Sequence, residues 1–339
     1  MNARGRGAHR ALAIWALPVA IVLALTSAPT AAAAAARWSP ASAAAMPASS
    51  ARQARRFWTP ARMRQAKPVE VRPTAGPAIA PLPAMRADGR APRRVLGPTS
   101  SSGASASSAF GEVSDPTSAE SRWNGVIFFK VGGGLGRCSG TSVNAPNFSV
   151  VLTAAHCINS GGRRGRWYRG QWVFVPGYRY GQRPFGVFPA VWLDTTRQWR
   201  ASGSENFDVG AAAVARNERG ERLADAVGGT GIAWGLKANQ TFDVHGYPVA
   251  PPFDGETQRL CAQTPFLGHD PQSFLAAGPL NLAVDCDVTG GASGGGWTIR
   301  GDVLNGVTNY GYRDDPATDF GAYFGREVGR LYGRAGRVG

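Results

Sequence analysis

From about residue 119 onward, short apolar runs recur between Gly, Pro and Asn breaks. Runs at 125–131, 149–153, 171–175, 187–193, 209–214, 240–244, 280–284 and 303–308 are each five to seven residues long. Apolar runs of that length, closed by turn residues, are strand signals, and helical periods are scarce between them. An all-β barrel or sandwich is expected. One late segment differs: Phe320, Phe324, Val328 and Leu331 fall at i, i+4, i+8 and i+11, which predicts a C-terminal helix. No internal repeat is visible.

The chain upstream reads otherwise. Residues 37–118 are rich in Ala, Pro, Arg and Ser, show no helical or alternating period, and end in a Ser/Gly/Ala tract at 100–108. Such composition buries little apolar surface, so a disordered propeptide or linker is expected there. Residues 1–36 open with Arg4, Arg6 and Arg10, continue in an apolar run at 11–25 and leave through an alanine tract at 31–36. That order reads as a secretory signal peptide, and the 15-residue run is short for an uncleaved anchor. The predicted division is therefore 1–36, 37–118 and a folded domain at 119–339.

Charge changes the picture only locally. The formal net charge is +15, but residues 1–118 hold 15 Lys/Arg against 4 Asp/Glu, leaving 22 against 18 in 119–339. The basic excess belongs mostly to the leader and the stretch after it, and its aromatics Trp38, Phe57 and Trp58 are too few for a base-stacking platform. Nucleic-acid binding is not expected. Four cysteines, Cys138, Cys157, Cys261 and Cys286, suit an oxidising destination and allow three pairings. The nearest-neighbour pairing, Cys138–Cys157 and Cys261–Cys286, is expected; the first closes a 19-residue loop and would stabilise the fold by ~3 kcal/mol. No C-x-x-C or H-x-x-x-H spacing supports a metal site, and no cofactor is expected.

The candidate chemistry lies in three short stretches. Val151-Leu152-Thr153-Ala154-Ala155-His156-Cys157 places a histidine after a strand-like run, with two alanines leaving room around the ring. Asn206-Phe207-Asp208-Val209-Gly210 places an acid directly before an apolar strand, where it needs a partner; Glu205 and Asp194 are nearby substitutes. Gly290-Gly291-Ala292-Ser293-Gly294-Gly295-Gly296 surrounds a serine with residues that let the backbone turn sharply and turn N–H groups outward. His156, Asp208 and Ser293 are the material of nucleophilic acyl transfer, with the Gly291 and Ser293 N–H groups as an oxyanion hole. An α/β-hydrolase elbow is excluded as a triad because no histidine follows Ser293. His245 is expected to be structural and His269 to be a solvated turn residue.

Taken in this order, the motifs resemble those of the trypsin-like (chymotrypsin-fold) serine peptidases. Thr153-Ala154-Ala155-His156-Cys157, Cys138-Ser139-Gly140-Thr141, Asp208-Val209-Gly210-Ala211 and Gly291-Ala292-Ser293-Gly294-Gly295 carry the resemblance, over about residues 123–334. Trp172–Tyr178, Pro184-Phe185-Gly186 and Gly246-Tyr247-Pro248 look like the secreted bacterial branch that includes the V8-like peptidases. The resemblance implies two packed antiparallel six-stranded barrels, with His156 and Asp208 from the first and Ser293 from the second. It further implies a secreted monomeric endopeptidase acting on proteins or peptides, without stable membrane association once the leader is removed.

Departures from the family pattern matter as much. Ala292 stands where pancreatic-type enzymes carry the aspartate that receives a new N-terminal ammonium, so latency, if present, must come from residues 37–118 covering the cleft. Gly296 replaces the usual proline. Asp287, six residues before Ser293, occupies the position of the acid in trypsin's pocket and implies a preference for Arg or Lys. Asn309, Tyr310 and Gly311 resemble the strand that pairs with substrate backbone, without the histidine of glutamate-specific relatives. The competing expectation is a catalytically inactive extracellular binding module on the same fold.

Overall fold

The computed structural model describes residues 43–70, 93–95, 111–113, 115–119 and 121–339. The expected signal segment 1–36 and most of 71–118 lie outside the described residues. Two closed antiparallel barrels of six strands each make up the bulk of the molecule. The first is formed by Asn124–Val131, Gly134–Val143, Val150–Thr153, Gly170–Pro176, Phe188–Thr195 and Gly210–Val214. Gly210–Val214 inserts between Val150–Thr153 and Phe188–Thr195, and Gly170–Pro176 pairs with both Phe188–Thr195 and Asn124–Val131 to close the ring. The second is formed by Thr241–Gly246, Arg259–His269, Leu282–Asp285, Gly296–Ile299, Val303–Tyr312 and Asp315–Gly321, closed by pairing of Gly296–Ile299 with Thr241–Gly246.

Alternation along the strands fills these barrels and also explains what surrounds them. Ile127, Phe129, Trp172 and Phe174 belong to the interior cluster of the first barrel, with Cys138, Val151 and Leu193. Their neighbours Val126, Phe128, Val173 and Val175 point to the opposite face, yet are equally buried. The cover comes from upstream. Residues 43–70 form a strap: Ala44–Ala45 pairs with Trp192 and Leu193, helices Ala48–Phe57 and Pro60–Gln65 follow, and Lys67–Pro68 runs parallel to Gly136 and Arg137. Ala54, Trp58, Met63 and Ala66 of the strap pack on Val126, Phe128, Val173 and Val175. Trp58 is 1% exposed and its ring N–H donates to the Gln171 carbonyl at 2.5 Å.

The expected disorder of 37–118 therefore does not hold for 43–70. A local signal was present: Thr59 caps the second helix, its side chain accepting from the Arg62 N–H, and Pro60 takes the first turn. Arg93–Val95 and Gly111–Glu112 likewise add short edge strands, to Gly231–Trp234 and Arg259–Leu260.

The C-terminal helix is Arg326–Ala335, later than the predicted period suggested: Phe320 lies in a strand and Phe324 precedes the helix. Val328 and Leu331 do face inward, packing with Leu152, Ala211, Ala213, Ile232 and Leu304. Arg334 anchors this helix through Asp194, which is fully buried, at 2.6 Å. Burial raises the Asp194 carboxyl pKa, and the Arg334 charge acts against that.

Four barrel strands carried no apolar run: Gly134–Val143, Arg259–His269, Gly296–Ile299 and Asp315–Gly321. Gly134–Val143 is the clearest case, with Gly136, Ser139, Gly140 and Thr141 in a strand buried from Gly136 to Val143. Barrel closure, not side-chain hydrophobicity, puts such a strand inside. If the strap is part of the core, Trp58→Ala should lower unfolding free energy by about 3–5 kcal/mol in denaturant titration of the full chain; a loss below ~1 kcal/mol would show the strap to be an ornament.

Candidate active site

His156 sits in a single 3-10 turn, Ala155–Cys157, that leaves the strand Val150–Thr153. A disulfide from Cys157 to Cys138 pins that turn to the neighbouring strand, with Cα atoms 6.1 Å apart. The second disulfide joins Cys261 and Cys286, so the nearest-neighbour pairing is the one observed.

Asp208 ends a second 3-10 turn, Glu205–Phe207, just before the strand Gly210–Val214. Its carboxylate is fully buried and both oxygens are used. The His156 backbone N–H donates to Oδ1 at 2.8 Å, and ring Nδ1 lies 2.7 Å from Oδ2. One carboxylate thus fixes both the turn and the plane of the imidazole. Nε2 of His156 is buried and has no hydrogen-bond partner among the described residues. A ring held by Nδ1–H donation to an acid leaves Nε2 as the basic nitrogen.

Ser293 is delivered from the second barrel by the turn between Leu282–Asp285 and Gly296–Ile299. Its carbonyl accepts from the Ser139 N–H at 2.8 Å, and the Ser139 hydroxyl donates to the Gly291 carbonyl at 2.8 Å. The strand that carries Cys138 therefore holds the serine loop against the first barrel. Gly294 (φ +81°) has no room for a side chain: a Cβ would meet the Thr153 hydroxyl, and would lie 2.8 Å from the Ala154 N, in the segment leading to His156. Gly291 (φ +102°) turns the backbone ahead of the serine. Among the described residues nothing accepts from the N–H of Gly291 or Ser293. The structure thus brings His156, Asp208, Ser293 and Gly291 into one neighbourhood where the barrels meet.

A cavity of about 200 Å³ adjoins Ser293, lined among others by Thr289, Gly290, Tyr310, Gly311, Arg313 and Glu70. Asp287 is not among its lining residues; its carboxylate lies within 4.8 Å of both sulfurs of the Cys261–Cys286 disulfide. The acid expected in the pocket is therefore turned toward the disulfide. Asn309 and Tyr310 do line the cavity, but their polar ends are committed elsewhere. The Asn309 side-chain amide donates to the Asp208 carbonyl at 2.6 Å, and its oxygen accepts from the Ala322 N–H. The Tyr310 hydroxyl donates to Asp270, as does that of Tyr312 at 2.9 Å. His269, expected in solvent, is fully buried next to Asp270, its Nδ1 3.2 Å from the Asn281 carbonyl. His245, expected to be structural, is buried, and burial lowers its pKa to about 4.

Among the described residues two groups have metal-like spacing, Cys138 with His156 and Cys157, and Cys261 with Cys286 and Asp287. Each includes both sulfurs of a disulfide, so neither offers a thiolate ligand.

Glu205 is the notable addition. Burial raises its pKa to about 7, with the charges of Asp208 and Asp270 adding to the rise and His156 opposing it. Spacing alone marked it as a substitute for Asp208; only the fold shows it as a neighbour that titrates near neutrality. Its folded-state pKa lies above its ordinary value of 4.5, so folded protein holds a proton that unfolded protein releases between those values. Stability is thus unaffected below pH 4.5 and falls as pH rises toward 7. Glu205→Gln should unfold at higher denaturant than wild type at pH 8 and not at pH 4, by on the order of 1 kcal/mol after solvent screening.

No protein-family profile matches the chain, and no curated protein does. Solved structures do. Protease Anisep from Arthrobacter nicotinovorans is 34% identical with a TM-score of 0.58, over 64% of this chain and 96% of that one. The thermostable serine protease AL20 from an extremophilic microorganism is 32% identical with a TM-score of 0.60, over 66% of this chain and 100% of that one. A Glu endopeptidase shares the fold at 18% identity, with a TM-score of 0.52, over 70% of this chain and 99% of that one. With two relatives above 30% identity matched along nearly their whole length, and two six-stranded barrels meeting at the site, the chain belongs to the bacterial serine proteases of the chymotrypsin fold.

Proposed function

We propose that the protein is an exported serine endopeptidase that works through Ser293, His156 and Asp208. The observation that carries this is the Asp208 carboxylate bound to both the backbone and the ring of His156, which leaves Nε2 free to take a proton. Ser293 Oγ would attack the substrate carbonyl as its proton passes to Nε2. The oxyanion would be met by the Gly291 and Ser293 N–H groups, an interaction of ~3–4 kcal/mol in the transition state. His156 would then protonate the leaving amine, and water would release the acyl group from Ser293 by the same route in reverse. Asp208 would hold the tautomer and offset the imidazolium charge. The two disulfides suit an extracellular setting, and about a third of the chain lies outside the match to its relatives.

Pocket chemistry favours acidic over basic side chains at the cleaved position. Asp287 is not in the pocket, while the exposed Arg313 lies along it and adds positive potential. Asp287→Ala should therefore leave the cleavage profile on a peptide library unchanged, and that profile should show no enrichment of Arg or Lys. A switch away from basic residues in that variant would restore the pocket role to Asp287.

The alternative is a binding module on a protease fold. Fluorophosphonate labelling separates the two: wild type should react at Ser293, and Ser293→Ala should neither react nor cleave, with turnover lower by several powers of ten. An unreactive wild type whose cleft is open would leave the binding module standing.

A further inference from the structure

The cavity beside Ser293 is bordered by a residue that comes from more than 200 positions upstream: Glu70, the last described residue of the strap. Its side chain presses on the backbone of the serine loop. A Cβ added at Gly290 would overlap the Glu70 carboxylate and lie 3.0 Å from Glu70 Cγ. Gly290 is three residues before Ser293, so an acidic side chain of this chain's own occupies the ground next to the candidate nucleophile.

How it gets there is written into the strap. Trp58, Met63 and Ala66 are buried on the first barrel, so the chain leaves the second helix from a fixed place. Lys67 and Pro68 then pair with Gly136 and Arg137, and the Val69 N–H donates to the Arg137 carbonyl at 3.2 Å. Two residues after Arg137, Ser139 holds the Ser293 carbonyl. The same barrel strand therefore anchors the strap at one point and the serine loop at the next, which sets Glu70 against Gly290.

We propose that residues 43–70 are a tethered inhibitor, with Glu70 as the side chain that fills the specificity pocket. Tethering makes a weak contact sufficient. A short link gives an effective concentration in the millimolar range, so a carboxylate–pocket affinity of about 0.1 mM, weak for a free inhibitor, keeps the pocket about nine-tenths filled. Latency by this route needs no N-terminal ammonium, which agrees with Ala292 standing beside the serine. It also gives the pocket's acidic preference an internal example. The proposal rests on the peptidase reading of Ser293.

The test uses the full chain, wild type and Glu70→Ala, with two readouts. The first is kcat/KM on a short fluorogenic peptide library together with the rate of fluorophosphonate labelling at Ser293. The second is amide hydrogen exchange at 288–293, which reports the contact whether or not the protein is an enzyme. Glu70→Ala should raise kcat/KM about tenfold or more, mainly through KM, and speed exchange at 288–293. Trp58→Ala, which loosens the strap without touching the pocket, should move both readouts the same way. Unchanged kinetics and unchanged exchange in Glu70→Ala would overturn the proposal. Faster exchange with no labelling or cleavage in either protein would uphold the Glu70 contact and instead remove the peptidase reading.

Discussion

A carboxylate shut away from water must receive every hydrogen bond from protein, and the cost of leaving one unmade is several kcal/mol. Asp208 meets that demand in a way that organises the rest. Its two oxygens take the backbone and ring of His156, so the histidine turn and the imidazole plane follow from one group. Its own carbonyl is held by the Asn309 amide from the second barrel, and the Asn309 oxygen is held in turn by the Ala322 N–H. One link between the barrels thus runs through the acid itself. Together with the Ser139 bonds to the Ser293 and Gly291 carbonyls, it ties the position of one barrel to the imidazole held by the other.

Around that centre, the polar groups behind the site form a second layer with its own logic. Asp270 collects the hydroxyls of Tyr310 and Tyr312, while burial, with the charges of Asp208 and Asp270 adding to it, pushes the Glu205 carboxyl up. An ionised Glu205 would set its charge against those of Asp208 and Asp270. Holding a proton on Glu205 relieves that repulsion without removing the acid that orients the ring.

Much of this was legible in the order of residues, and the gaps have physical causes. The motifs around His156, Asp208 and Ser293 are local, so the residues named from them are the ones the fold draws together. The barrels were legible where strands are apolar on one or both faces, as in 171–175. Gly134–Val143 carried no apolar pattern and was legible only through the Cys138–Thr141 motif, because its burial comes from ring closure and from the serine loop it supports. The spacing of Asp287 from Ser293 says nothing about which way its side chain turns, and in the fold its carboxylate lies beside the Cys261–Cys286 disulfide. The strap was missed because a few apolar residues, Trp58, Met63 and some alanines, are diluted among arginines; composition averages over what a single well-placed tryptophan can do.

The outward face of the first barrel has one more consequence. Val126, Phe128, Val173 and Val175 lie on the outer face of the first barrel, and Ala54, Trp58, Met63 and Ala66 of residues 43–70 cover them together with Tyr178, Val187 and Tyr247. A backbone cut between the strap and the barrels would therefore not release a fragment. The two pieces would persist as a nicked heterodimer that comigrates in native separation and falls apart only in denaturant, with the severed end at residue 70 free to swing out of the cleft.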